Sequence, residues 1–427
     1  SLANAASPNS PAPARTIGAN DRISAAVIGT NGRGLAHIDC LTSLPGVEVT
    51  YICDVDTRAV AKGIKETAKK QTNVPQGIDD FRKMLADKSV DVVTIATPDH
   101  WHTPMAIMAM AAGKHVYLEK PCSQNPYEGE LLLQAVTKYQ RIVQMGAQRR
   151  SSAAMRQIIP EIHNGLIGKT YFGKGWYAND RSSIGHGKPA PVPEWLDYEL
   201  WQGPAPRRDY IDNLIHYNWH WRWLYGTGEA LNNGTHEIDV ARWALDVNWP
   251  VRVSSNGGRY AFQDDWETPD TQTISWDFPE GKSMAWESRS CNPFPVEGRS
   301  RGTLVYGTEG TALLDGNDYI IYDKKGKIIK QVKSTEVVDP TNTISGSGAG
   351  MDTAHVSNFI ESVRGTQQLN CPIAEGSVSV TLLHLGNIAW RVGRELHCNP
   401  TNGHILNDAD AMKLWRRKYQ PGWEPKV

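Results

Sequence analysis

Cysteine is scarce. The 427 residues hold six (Cys40, Cys53, Cys122, Cys291, Cys371, Cys398), and no two form a CxxC pair. Such spacing excludes a disulfide scaffold and a cysteine zinc site. No apolar run reaches the roughly 18 residues that a membrane-crossing helix requires. Neither sign of charge prevails, with 45 Lys+Arg against 46 Asp+Glu and a net charge of −1. That balance excludes the basic footprint of a nucleic-acid-binding protein. Phenylalanine is also rare, six residues against 15 tryptophans. What is present, 40% hydrophobic and 21% charged residues, is the composition of a large globular chain, not a disordered one. The length predicts two or three domains, at roughly 100–200 residues each.

Residues 1–20, SLANAASPNSPAPARTIGAN, carry no apolar periodicity and read as a flexible linker. LANAA has the small-residue character of a signal-peptidase region, but no charged n-region or long h-region precedes it. From Ile23 the chain alternates. Apolar runs at 23–28, 47–56 (ending in acid), 91–97, 115–120 and 142–146 read as buried strands; 35–44, 57–70, 81–86, 104–113 and 127–140 read as helices. Alternation at this spacing means βαβ units and a parallel sheet, so residues 21–148 are expected to form a doubly wound Rossmann domain. After Gln148 the texture changes, and 14 of the 15 Trp lie there. TISWDF (273–278), SMAWES (283–288) and GTLVYGT (302–308) alternate like antiparallel strands with one covered face, and 312–332 contains two turns between apolar runs. KKGKIIKQVK (324–333) reads as a solvated hairpin. Helices are expected at 355–365 and 378–396. The fold class is therefore α/β, with residues 149–427 forming a second, α+β domain on a large, mostly antiparallel open sheet.

Gly29, Gly32 and Gly34 lie between the first strand and the first helix, in the order GxxGxG within Gly29-Thr30-Asn31-Gly32-Arg33-Gly34. Glycine suits a loop where backbone must approach a pyrophosphate and a helix N-terminus must offer free N–H groups. Such a match alone is weak, but strand, helix and the acid Asp54 complete a dinucleotide fingerprint. A carboxylate at the end of the second strand accepts hydrogen bonds from a ribose diol and repels a 2′-phosphate, so NAD is expected over NADP. Arg33 and Arg58 are the opposing charges. Asp56 competes with Asp54, or caps the next helix.

Thr97-Pro98-Asp99-His100-Trp101-His102 follows the third strand, at the sheet edge where ligands of open α/β folds bind. His100 and His102 could be metal ligands, but the favoured reading is a turn capped by Asp99, with the two rings, Thr97 and Pro98 packing on the cofactor. Glu119-Lys120-Pro121 ends the next strand. In a cleft beside an oxidised nicotinamide, desolvation and the pyridinium charge lower a lysine's pKa, as a hydroxyl-deprotonating base requires.

Together GTNGRG, CDVD, ATPDHWH and AGKHVYLEKP resemble the Gfo/Idh/MocA oxidoreductases, and the likeness runs on through YGTGEALNNGTHEIDVARWAL (225–245). The resemblance implies an NAD(P)-dependent Rossmann domain and an α/β domain whose open sheet mediates homo-oligomerisation, as a dimer or tetramer. It also implies a sugar or polyol substrate, and Lys120 as a catalytic group preceding a cis proline, Pro121. Exported members begin with a segment similar to NDRISAAVIGTNGRG after a loose linker, so a periplasmic location is expected, with a cytoplasmic protein as the alternative. The family pattern D-x-x-x-H places its histidine at His236, but the carboxylate position is Asn232. An amide can orient a hydroxyl but cannot take its proton, so the proton falls to His236 or Lys120.

His216-Tyr217-Asn218-Trp219-His220-Trp221-Arg222-Trp223 adds an aromatic segment, readable as one face of a strand or as core. His216, His220 and His236 could share a metal, but no acidic or cysteine ligand has matching spacing, and no metal is expected. Trp219, Trp221 and His220, with Trp176, Tyr177, Trp195 and Trp201, could form a carbohydrate platform. Arg149, Arg150, Arg181 and Arg222 could pair with an acidic sugar or form ordinary salt bridges. Three functions follow: a sugar or glycoside dehydrogenase, a redox-neutral glycoside hydrolase built on the same parts, and a non-catalytic NAD- or sugar-binding protein.

Overall fold

A computed structural model describes Gly18 and residues 21–279, 281–334 and 349–427. All of the expected 1–20 linker except Gly18 lies outside the described residues. Five of the expected apolar runs and one short strand not expected from the sequence, β3, form one sheet: β1 (Ile23–Ile28), β2 (Val47–Cys53), β3 (Gln76–Ile78), β4 (Val92–Ile95), β5 (His115–Leu118) and β6 (Val143–Met145), in the order β3-β2-β1-β4-β5-β6. Every neighbouring pair is parallel, so the inner strands are buried on both faces and read as continuous apolar runs. The connections are α1 (Arg33–Ser43), α2 (Thr57–Thr67), α3 (Phe81–Leu85), α4 (Asp99–Ala111) and α5 (Pro126–Tyr139). Asp56 caps α2, accepting from Arg58 N at 2.8 Å, and Asn125 caps α5. The strand order reverses between β1 and β4, which places the ligand crevice beyond their carboxyl ends. β5 stops at Leu118, two residues before the run expected to Lys120. Glu119 and Lys120 are thereby released from the sheet edge towards that crevice.

The second half runs α6 (Ala153–His163), β7 (Thr170–Ala178), α7 (Tyr198–Gln202), α8 (Gly228–Asn232), α9 (Gly234–Leu245), β8 (Arg252–Gly258), β9 (Thr271–Asp277), β10 (Ser283–Arg289), β11 (Arg301–Gly307), β12 (Gly310–Asp315), β13 (Asp318–Asp323), β14 (Ile328–Val332), α10 (Ala349–Val363), α11 (Ile373–Val392), β15 (Leu396–His397) and α12 (Ala409–Lys413). Its nine strands order as β14-β13-β12-β11-β7-β10-β9-β8-β15. All pairs are antiparallel except β7–β10. β9 buries Gln272, Ile274 and Trp276 and turns Thr273 and Ser275 outward, as its alternation predicts. α9 and α11 cover the buried face. They approach closely: a Cβ at Gly386 of α11 would lie 2.4 Å from Ile274.

α11 begins five residues before the expected Val378, with Pro372 at its N-cap, and ends at Gly393 in the left-handed conformation (φ 68°). α10 returns to the first domain, where Val356, Phe359, Ile360 and Val363 share a core with Ile23, Ala25 and Val27.

The tryptophan excess is largely core. Trp176, Trp221, Trp276 and Trp286 are among the largest fully buried side chains. Trp276 and Trp176 donate to the backbone oxygens of Leu382 (2.9 Å) and Arg299 (3.0 Å). A buried indole finds its partner there, not in a sugar. The segment read as a possible strand at 216–223 instead forms a 3₁₀ turn over Asn218–Trp221.

Candidate functional site

The cleft opens where β1 meets α1. Gly29 holds φ +86°, and a Cβ there would sit 2.6 Å from the Ala96 carbonyl of the neighbouring strand end. At Gly34 the clearance is smaller still, with a Cβ 1.9 Å from Gly29 O. Only glycine allows this loop to close so tightly. Gly32, the residue at the α1 N-cap, offers no side chain to the first helical N–H groups, which leaves an anion site over Asn31 and Gly32. Asp54, past the end of β2, accepts from Thr30 N (2.7 Å) and Asp56 N (3.0 Å) and lines the same cleft. Burial raises its pKa against the pull of these two bonds. Arg33, the residue set against the NAD preference, is occupied: Nε meets Glu119 at 2.8 Å, and Nη1 and Nη2 meet Asp352 at 3.0 and 2.7 Å. Arg58 is likewise held by Asp56 and lies over the Trp195 ring at 3.4 Å. A glycine cradle, an uncapped helix start and a carboxylate at the ribose position fit a dinucleotide with an unphosphorylated ribose.

A strap from the second domain crosses the ribose end. Thr57 N donates to Trp195 O (3.0 Å), Asp197 N donates to Val55 O (2.9 Å), and His216 Nε2 meets Asp56 at 2.8 Å. The wall beyond is apolar, made by Phe81, Trp101, Met105, Leu200 and Trp201.

The opposite end carries the titratable groups. The Lys120–Pro121 peptide is cis. Lys120 Nζ donates to Asn232 O (2.6 Å) and Asn232 Oδ1 (3.2 Å). Burial lowers the pKa of its ammonium, against the attraction of Glu119 and Asp99. Glu119 itself is held well below the carboxylate range, burial notwithstanding, by Arg33 and His37. His236, at the start of α9, lines the cleft with a buried Nδ1 that has no hydrogen-bond partner. Burial, then the charges of Lys120, Arg301 and Arg149, pushes its imidazolium well below the usual range. His220 stacks on Trp219 (3.6 Å between centroids), and its Nδ1 lies 2.6 Å from Tyr217 O, which leaves Nε2 as the acceptor. Burial lowers the His220 pKa to about 3. His102 bridges the two strand-end turns, Nδ1 to Pro121 O at 2.6 Å and Nε2 to Thr97 O at 2.8 Å.

The cleft thus unites Gly29, Asn31, Gly32, Arg33, Asp54, Thr97, Pro98, His102, Glu119, Lys120, Trp219, His220, Asn232 and His236. Other expected residues stand elsewhere. Gly34 and Pro121 are behind the wall, where they shape the backbone. His100 points away from the cleft, its Nε2 2.8 Å from Trp201 O beneath the Trp201 and Tyr225 rings. Trp221 is stacked on Trp266 at 3.9 Å. Arg222 pairs with Asp265 (2.9 Å), Arg149 with Glu237 (2.8 Å), and Arg150 with Asp239 (2.8 Å). Tyr177 is buried with its hydroxyl accepting from Asn179 at 2.7 Å. None of these side chains lines the cleft, although Arg149 Nε and Nη1 and Arg222 Nε are buried without a hydrogen-bond partner among the described residues. On the wall stand also Asp99, read from the sequence only as a turn cap, and Gln148, which sequence reasoning missed. Asp99 was legible in TPDHWH; Gln148 carried no signal. Burial raises the Asp99 pKa, and Thr227 Oγ1 donates to it at 2.7 Å.

Comparison with known proteins matches residues 23–147 to the profile described as an oxidoreductase family with an NAD-binding Rossmann fold, and residues 171–281 and 301–425 to that family's C-terminal alpha/beta domain. The chain belongs to the Gfo/Idh/MocA oxidoreductase family. A "Glycosyl hydrolase family 109 protein" of Saccharopolyspora erythraea is 32% identical over 182 residues, 42% of this chain and 39% of that protein. An alpha-N-acetylgalactosaminidase of Shewanella oneidensis is 28% identical over 157 residues, 36% of this chain and 34% of that one. The aligned stretch therefore spans under two fifths of these curated relatives. Among solved structures, levoglucosan dehydrogenase in complex with NADH and levoglucosan superposes with a TM-score of 0.68 at 18% identity, covering 88% of this chain and 99% of that one. The WlbA dehydrogenase of Bordetella pertussis gives 0.65 at 18%, with the same coverages. These likenesses show the shared Gfo/Idh/MocA fold. No helix among the described residues is long and apolar enough to cross a membrane.

Proposed function

We propose that this NAD-binding oxidoreductase acts on a hydroxyl of a sugar or glycoside. The observation that carries the reading is convergence: Lys120 from the first domain and His236 from the second face one cleft that also contains Gly29–Gly32 and Asp54. The cofactor, when bound, supplies a hydride acceptor. Lys120, with two donors occupied by Asn232, has its third direction available to a substrate hydroxyl. A desolvated amine releases its proton more readily and is suited to take one from that hydroxyl. His236 and His220, both neutral, supply further proton-accepting positions. Trp219 offers a flat apolar face to a ring.

A second reading, a redox-neutral glycoside hydrolase, is supported by two observations. The curated relatives above carry glycosidase names, and the strap over the ribose end suits a dinucleotide that is retained, not exchanged. The same proton-handling groups then serve loss of an aglycone and addition of water, with no net change in the cofactor. A homo-oligomer built through the open sheet, and export to the periplasm, complete the proposal. The test is incubation of the purified protein with aryl glycosides and disaccharides, with and without added NAD, following reduced nicotinamide and released aglycone. The dehydrogenase reading requires keto-sugar and reduced cofactor in equal amounts. Aglycone release without net reduction selects the hydrolase, and bound NAD with no conversion selects a binding protein.

A further inference from the structure

Position 232 is Asn where the family pattern has an acid, yet a carboxylate stands one helical turn earlier. Glu229 of α8 is 1% exposed and does not line the cleft. It accepts from Asn232 Nδ2 (3.3 Å), Ser290 Oγ (2.9 Å), Arg181 Nε (2.8 Å) and Asn233 Nδ2. Arg181 is itself packed against Trp221, 4.9 Å from the ring centroid. Asn232 turns its other end, Oδ1, to Lys120 Nζ at 3.2 Å. A side-chain amide has one donating and one accepting end; reversed, Asn232 would aim an NH₂ at an ammonium. An ionised carboxylate accepts only, so Glu229 selects which end faces Lys120.

We propose that Glu229 is a positioning residue for Lys120, acting through the Asn232 amide to fix which donors of the ammonium are occupied and which faces the cleft. The inference rests on Lys120 being the proton-transfer group of the function proposed above. Negative charge is delivered at one remove, so the lysine sits beside a neutral amide. A carboxylate at 232 would hold the ammonium more firmly.

The test is competitive labelling with fluorodinitrobenzene across pH, quantified on the peptide containing Lys120, in the full chain. Asn232→Ala removes one acceptor from the ammonium and should lower the labelling midpoint by about one pH unit. Glu229→Gln should do the same. Because it strands a buried Arg181, the paired variant R181M/E229Q, which neutralises both partners, guards against unfolding. Adding N232A to that pair should lower the midpoint no further than N232A alone. An unchanged midpoint in an R181M/E229Q protein that melts like the parent would overturn the proposal, as would an additive shift in the triple variant. Should neither Glu229→Gln form fold, Glu229→Asp, which withdraws the charge by one methylene, must show part of the shift, and no shift there is equally contrary. Labelling reads the amine and not turnover, so absence of sugar conversion counts against the proposed function and leaves this result to stand separately.

Discussion

Lys120 and Asn232 meet across the junction of the two domains, with Nζ 2.6 Å from the Asn232 backbone oxygen and 3.2 Å from its side-chain oxygen. One comes from the turn after β5 and the other from the end of α8, so neither domain holds the site alone. Lys120→Ala and His236→Ala should each lower turnover roughly 10²–10⁴-fold if both move protons. NAD affinity, titrated by tryptophan fluorescence, should change far less. Full turnover in His236→Ala would remove it from the proton path and leave His220 in its place.

Oxidation should depend on pH with a defined sign. The amine accepts a proton only when unprotonated, and burial has lowered its pKa. The rate of hydroxyl oxidation should therefore rise with pH, along a limb centred below the ordinary lysine value. A limb that survives in Lys120→Ala would assign it to another group.

Asp54 should set cofactor choice. Its carboxylate lines the cleft, anchored by Thr30 and Asp56 amides. Loss of a charge-assisted hydrogen bond costs about 1.5–3 kcal/mol, so Asp54→Ala should bind NAD roughly 10–100-fold more weakly and narrow the gap to NADP. Equal affinity of the parent protein for both cofactors would contradict this assignment.

Acid should destabilise the protein through its buried imidazoles. Burial lowers His100 to about 3, and His355 and His384 to about 4. Each folded pKa lies below the unfolded value of about 6.5, so the unfolded chain binds more protons. Their stability contribution is present above about pH 6.5 and lost as pH falls towards about 4, at up to about 1.4 kcal/mol per pH unit for each group. Unfolding in denaturant as a function of pH measures this slope. A flat profile between those limits would show that these rings are protonated in the native state.

The strap predicts slow cofactor release. His216→Ala and Trp195→Ala each remove one tie across the ribose end. His216→Ala should raise the dinucleotide dissociation rate by about tenfold, the worth of one hydrogen bond to a charged group, and Trp195→Ala, which removes a cation–π contact with Arg58, by about two- to fivefold. Unaltered dissociation would mean that the strap does not control exchange.

Much of this was legible in the sequence because its signals are local. Glycine spacing, an acid at a strand end and strand–helix alternation specify the first domain and its cofactor edge. Asp56 as a helix cap and His236 on a helix followed the same way. What failed was partner choice over long distances. Arg149 and Arg222 looked available for a sugar, but their ion-pair partners Glu237 and Asp265 are brought to them by the fold. Trp176 and Trp221 looked like a platform, but which face of an indole is covered depends on sheet packing, not on neighbours in the chain. Glu229 was missed for a related reason: its role runs through Asn232, and only the three-dimensional turn of α8 connects them.

Rapid mixing of the NAD-loaded protein with a glycoside panel, under single-turnover conditions, reads hydride transfer at the Lys120 cleft. Hydride transfer at this site should give a burst in the near-ultraviolet absorbance of reduced nicotinamide with at least one sugar, and the burst should be lost in Lys120→Ala at unchanged NAD occupancy. The burst persists if the protein is a dehydrogenase without acceptor and decays as aglycone appears if it is a redox-neutral hydrolase. No burst with any sugar, or one that is undiminished in Lys120→Ala, would contradict hydride transfer at this site.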